Sequence, residues 1–201
     1  MNRYKDNITP YLGIRDRLTT FTIINCEHKD FPWRWIGHTA VVYRCHETGQ
    51  LMVFESTTLN KFTGKSGVQL TPMGLWLSKY PGKVFVRIAT FKSSKTIEFM
   101  AERFIKNHLG SSYPNLKTWS GKMKLVLAKL DLKIRGKDLL KYDGEDKGIF
   151  CTMLVIMFLQ YCELMTDDTL AQEWEPDDTR IDLSMTPWLI NCEYGEEIQI
   201  K

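Results

Sequence analysis

The sequence predicts an α+β fold in which an antiparallel sheet packs on one central helix. Three observations carry this. The first half consists of short apolar runs rich in β-branched and aromatic residues; beyond residue 93 the apolar spacing lengthens to that of a helix; and one late run, GIFCTMLVIMFLQYC (148–162), is apolar on nearly every side. Strands gathered first and helices afterwards argue against an alternating α/β chain.

The elements follow in order. TFTIINC (20–26), HTAVVYRC (38–45), QLMVFES (50–56) and KVFVRIA (83–89) read as strands, separated by turn-forming residues. Between the last two, Thr71 followed by Pro72 signals a short helix running to Tyr80, because proline fits the first helical turn. Ile97, Met100, Phe104, Ile105 and Leu109 recur at helical spacing, with Ser93 and Ser94 available as caps and Gly110 as the stop. A second, more basic helix is expected over 121–132, within a basic insertion at about 115–147. The apolar run over 151–164 supplies the central helix.

With 201 residues, 43% hydrophobic and 25% charged, the chain fits a single domain, 1–201, able to bury one continuous core. No repeat, low-complexity stretch or linker divides it. The formal net charge of +3, from 27 basic and 24 acidic residues, does not call for nucleic acid. Basic residues concentrate over about 92–147 and acidic ones over 167–182, and each stretch reads first as a solvated face. MNRYKDNITP lacks the apolar core of a secretory signal, and no apolar run is long enough to span a bilayer. Five cysteines without a framework spacing suggest reduced thiols, hence a cytoplasmic setting, of a cell or an infected host. Oligomeric state is not legible.

The candidate chemistry starts from one hairpin. If Cys45 pairs with Gln50, Ala40 lies opposite Glu55, and His38 shares Glu55's face as its diagonal neighbour. A slip of one residue would place the two on different faces. A carboxylate beside an imidazole fixes its tautomer and favours its charged form, as a general base for a thiol requires. The pair reads equally as a hydrogen-bonded strand histidine and an edge glutamate. Cys151 opens the apolar helix, where unpaired N–H groups and the helix dipole stabilise a thiolate and can cradle an oxyanion. Taken alone it is also a small apolar residue at the start of a core helix. Cys162 reads as core and Cys192 has no evident partner. His108 reads as a boundary residue. A zinc site from Cys26, His28, Cys45 and His46 is disfavoured, since Cys45 and His46 point apart in a strand. The loop FPWRW (31–35) places Trp33 and Trp35 just before His38, either at the rim of a cleft or as a buried aromatic staple. The acidic run EWEPDDTRID (173–182) has no metal-binding spacing. We therefore expect no metal and no cofactor.

The order of these pieces resembles the circularly permuted NlpC-type papain-fold family, of which YiiX-like proteins are members. The resemblance rests on GHTAVVYR, the glutamate of FES, a V-x-L-T-P segment leading to KVFVRIA, and a late cysteine opening an apolar helix. Arg87 matches a basic residue at a strand end, Gly110-Ser111-Ser112-Tyr113 matches a G-x-x-Y segment, and TRIDLSMTPWLI resembles the family's tail. The Gly-Asp pair usual before the first strand is absent, and Thr152 stands where serine is common. The resemblance implies a barrel-like papain fold in permuted order, with Cys151 as nucleophile, His38 as base, Glu55 as its orienting residue and Tyr113 as a weaker oxyanion donor. It implies a thiol hydrolase of peptide, protein or acyl-amide substrates acting through a thioester. Acyl transfer by the same triad, or a non-enzymatic binding or virion-associated protein on the same fold, are the alternatives.

Overall fold

The computed structural model describes residues 9–27, 36–58, 64–113, 149–171, 174, 176–179 and 185–201. The expected basic insertion at 115–147, including its helix, and the FPWRW loop with Trp33 and Trp35 lie outside the described residues, as do residues 180–184.

Along the chain come α1 (Tyr11–Ile14), β1 (Ile23–Glu27), β2 (Ile36–Arg44), β3 (Leu51–Thr57), β4 (Gly67–Pro72), α2 (Met73–Lys79), β5 (Lys83–Phe91), α3 (Lys95–His108), α4 (Cys151–Tyr161) and β6 (Cys192–Gln199). The strands form one six-stranded antiparallel sheet in the order β4-β3-β2-β1-β5-β6. The α+β class and the antiparallel sheet packed on the apolar helix are as the sequence predicts.

The near-continuous apolar character of the strands has a direct cause, because both faces of the sheet are covered. Side chains alternate across a strand, so Ile23, Val41 and Phe54 join α3 and α4 in one core cluster. Ile24, Ala40, Val42, Val53 and Val86 join Met73, Trp76 and Leu77 of α2 in another. Phe158 of α4 is the hub of the first cluster, with ring centroids 4.7 Å from Phe21, 5.7 Å from Phe54 and 5.1 Å from Phe104. Truncating such a buried ring typically costs about 3–5 kcal/mol.

Helix α3 starts as predicted, with Ser94 at the N-cap accepting from the Ile97 N–H at 3.2 Å, and Gly110 follows it at φ 82°. Leu109 was expected on the buried face; it sits instead at the C-cap and is exposed, while Ala101 is buried in the stripe.

Two strands differ from the sequence reading. The short helix expected after Thr71-Pro72 is present as α2, with Pro72 at its N-cap and Tyr80 at its C-cap, but Thr71 and Pro72 also close a strand, β4, that the sequence reading lacks. A proline is tolerated there because β4 is an edge strand, where its missing N–H breaks no second ladder. β6 follows the helices, so strands do not all come first. Its sequence, CEYGEEIQ, lacks apolar alternation because it too is an edge, with β5 as its one strand neighbour among the described residues. Arg87, matched to a strand end, lies mid-strand in β5, and its Nη1 donates to the Gly195 carbonyl of β6 at 2.9 Å.

No helix among the described residues is long and apolar enough to cross a membrane.

Candidate active site

The β2–β3 hairpin has the predicted register. Val41 faces Phe54 and Val42 faces Val53, and the Cys45 N–H donates to the Gln50 carbonyl at 2.9 Å. Carried one residue further, this register sets Ala40 opposite Glu55 and His38 on the diagonal. His38 Nε2 lies 2.8 Å from Glu55 Oε2. A carboxylate only accepts, so Nε2 carries the proton, and Nδ1 remains for another partner.

A bulge precedes the histidine. Cys26 of β1 faces His38 whereas Glu27 faces Ile36, leaving Gly37 as the extra residue. Bulges bend a strand and re-aim the side chains beside them, and this one stands at the end of β2 where the N-terminus of α4 arrives.

Cys151 is the first residue of α4 and partly exposed. Its position is set by two tethers on the preceding Ile149: the Ser56 hydroxyl, next to Glu55 on β3, donates to the Ile149 carbonyl, and the Ile149 N–H donates to the Ser112 carbonyl at 2.9 Å. Ser111 in turn is fixed to the sheet edge, its carbonyl accepting from the Val68 N–H at 2.8 Å. Gly67 permits this close approach, since a Cβ there would stand 2.3 Å from the Ser111 carbonyl oxygen.

The electrostatics follow from these contacts. Burial opposes ionisation of Cys151, but the hydrogen bond and charge of His38, the Thr39 backbone N–H and the Thr152 hydroxyl outweigh it and bring the thiol below its ordinary value. Burial likewise opposes charge on His38. Its hydrogen bonds to Cys151 and Glu55, with their charges, prevail and push the imidazole up to about 10. The two shifts describe one coupled unit that favours a thiolate–imidazolium pair. Phe150, at the N-cap, has no side-chain acceptor for the N–H groups of the first turn of α4.

Other sulfurs nearby are held neutral. Burial, reinforced by the Glu55 charge, raises Cys26 well above the ordinary thiol value. Burial pushes Cys162 up to about 12 and Cys192 up to about 11. Cys45 is the exception: hydrogen bonds from Thr48 lower it on the hairpin surface. All five cysteines are free thiols. His108 packs its ring on Phe104, with Nδ1 2.8 Å from the Phe104 carbonyl, and takes no part.

Tyr113 packs edge-on against Phe150, the residue before Cys151, with ring centroids 5.6 Å apart. Burial, then the Cys151 charge, raises its hydroxyl above the ordinary value, so it stays a protonated donor.

One contact was missed in sequence. The indole N–H of Trp76, on α2, donates to Glu55 Oε2 at 3.0 Å, the same oxygen that faces His38. Met73, Trp76, Leu77 and Tyr80 fall at helical spacing, which marks a buried stripe but does not aim an indole at a carboxylate. Likewise, nothing local signals that the Thr39 N–H would meet a sulfur from residue 151.

Compared with models of known protein families and with curated proteins, the sequence matches none.

Proposed function

We propose that the chain is a thiol hydrolase of circularly permuted papain-like architecture, cleaving an amide bond through Cys151, His38 and Glu55. The observation that carries this is the convergence of three side chains from separate elements: His38 Nε2 is 2.8 Å from Glu55 Oε2, and the imidazole and the thiol at the N-terminus of α4 shift each other's ionisation. The strand-borne base and carboxylate precede the helix-borne nucleophile in sequence, which is the permuted order. The domain is single, with the stretch at about 115–147 an insertion into it.

In the reaction, the Cys151 thiolate attacks the carbonyl carbon of a peptide, protein or acyl-amide substrate. The oxyanion is received by N–H groups of the first turn of α4, with the Tyr113 hydroxyl as a further donor. The His38 imidazolium gives its proton to the leaving amine, and the neutral ring then takes a proton from water as it attacks the thioester. Glu55 keeps the tautomer and orientation of the ring throughout. The chemistry draws only on these side chains and backbone groups. Five free thiols suit a reducing cytoplasm.

The test is alkylation by iodoacetamide across pH, with adducts located by mass spectrometry, alongside an intact-mass search for an acyl-enzyme on mixing with activated acyl esters. We expect Cys151 to react well below the pH at which Cys162 and Cys192 do, to lose that reactivity in His38→Ala, and to carry the acyl group. Cys45, lowered by its own turn, is the internal control, because its reactivity is independent of His38. Equal reactivity of Cys151 in the wild type and His38→Ala would sink the assignment.

A further inference from the structure

We infer that Trp76 is a positioning residue of the triad, acting on His38 through Glu55; this rests on the proposed thiol chemistry. Glu55 is 3% exposed and Trp76 likewise 3%, so water contributes little to holding the carboxylate. The indole Nε1–H and the imidazole Nε2–H converge on one oxygen, at 3.0 and 2.8 Å. Two donors on one carboxylate oxygen restrict its rotation, and so fix the line along which His38 is held. The indole is neutral, so it stabilises the carboxylate without cancelling the charge that His38 requires.

Trp76 is itself held. Its ring stacks on Tyr80 with centroids 4.8 Å apart and planes 19° from parallel. The C-terminal carbonyls of its helix are fastened by the Lys201 ammonium, which donates to Leu77 and Tyr80 oxygens at 2.6 Å each. The indole is thus carried on an element anchored at the far edge of the sheet from β4, and α2 supports the triad from the face opposite α4.

The test is Trp76→Phe, which keeps an aromatic ring and removes the N–H, compared with wild type and Glu55→Gln. We expect the ascending limb of the Cys151 alkylation profile to move up by roughly one pH unit, with about tenfold slower reaction below it, as loss of one hydrogen bond to a charged group implies. The 15N shifts of the His38 ring should move toward those of the neutral imidazole at fixed pH. Where Trp76→Phe melts below the assay temperature, the benzothienyl isostere placed at residue 76 removes the N–H while keeping the ring system. If the profile and the ring shifts stay at wild-type values while Glu55→Gln moves both, Trp76 only packs and the inference is overturned. If wild-type Cys151 has no low-pH limb at all, the thiol reading itself falls.

Discussion

Replacing Glu55 by glutamine removes one charge and little else, and its effect can be sized from the site. The carboxylate is buried and stands 2.8 Å from His38, whose imidazole is held at about 10. A hydrogen bond to a charged group is worth about 1.5–3 kcal/mol, and one pKa unit is about 1.4 kcal/mol, so His38 should fall by about one to two units. The thiolate is stabilised by that imidazolium, so the Cys151 thiol should rise by a similar amount. In the assay, second-order rates of iodoacetamide addition to Cys151 are measured from pH 4 to 10. The ascending limb is expected to shift upward by about one to two units, making the reaction below the limb about 10–100-fold slower in Glu55→Gln. Near-ultraviolet circular dichroism checks that the fold is kept. An unmoved limb in a folded variant would refute the idea that Glu55 sets the ionisation of the pair.

The pH dependence of stability should be unusually flat. A raised His38 stabilises fully below its unfolded value of 6.5 and loses this as pH rises through about 10, whereas a lowered Cys151 stabilises above 9.0 and loses this as pH falls. The opposing slopes cancel between these unfolded values. Urea unfolding of Cys151→Ala, which keeps Glu55 beside His38, should therefore lose stability as pH climbs from 6.5 to 9, while the wild type does not; equal slopes would refute the coupling. At Gly67, alanine would have to adopt φ 105° with its Cβ against the Ser111 carbonyl. Gly67→Ala is expected to cost roughly 2 kcal/mol, or about 4–8 °C in melting temperature, and to slow Cys151 alkylation, since Ser111 and Ser112 lead to the tether on Ile149. A melting temperature equal to wild type would show that this close approach is not needed.

Much of the site was legible because its parts obey local periodicities. Strand alternation and the four-residue turn after Cys45 place His38 and Glu55 on one face, since a hairpin's register follows from its turn. The uniformly apolar run after Phe150 marks a helix covered on several sides, and its first residue is Cys151. The cap at Ser94 and the stop at Gly110 are also local. What escaped was set elsewhere. β4 and β6 are edge strands, relieved of the demand for apolar residues on both faces, so GVQLTP and CEYGEEIQ carry no strand signature. The helix after Pro72 was legible and the strand before it was not, because a proline can open a helix and end an edge strand at the same time.

By itself, then, the sequence determined the fold class, the hairpin register and the position of a cysteine at a helix start, because each depends on residues close in the chain. Only the tertiary structure decided that α4 arrives at the bulged end of β2, that the thiol meets the His38 ring and the Thr39 N–H, and that Trp76 shares the Glu55 oxygen. These contacts join residues far apart in sequence, and their existence depends on how the two covered faces of one sheet bring α2 and α4 to the same strand end.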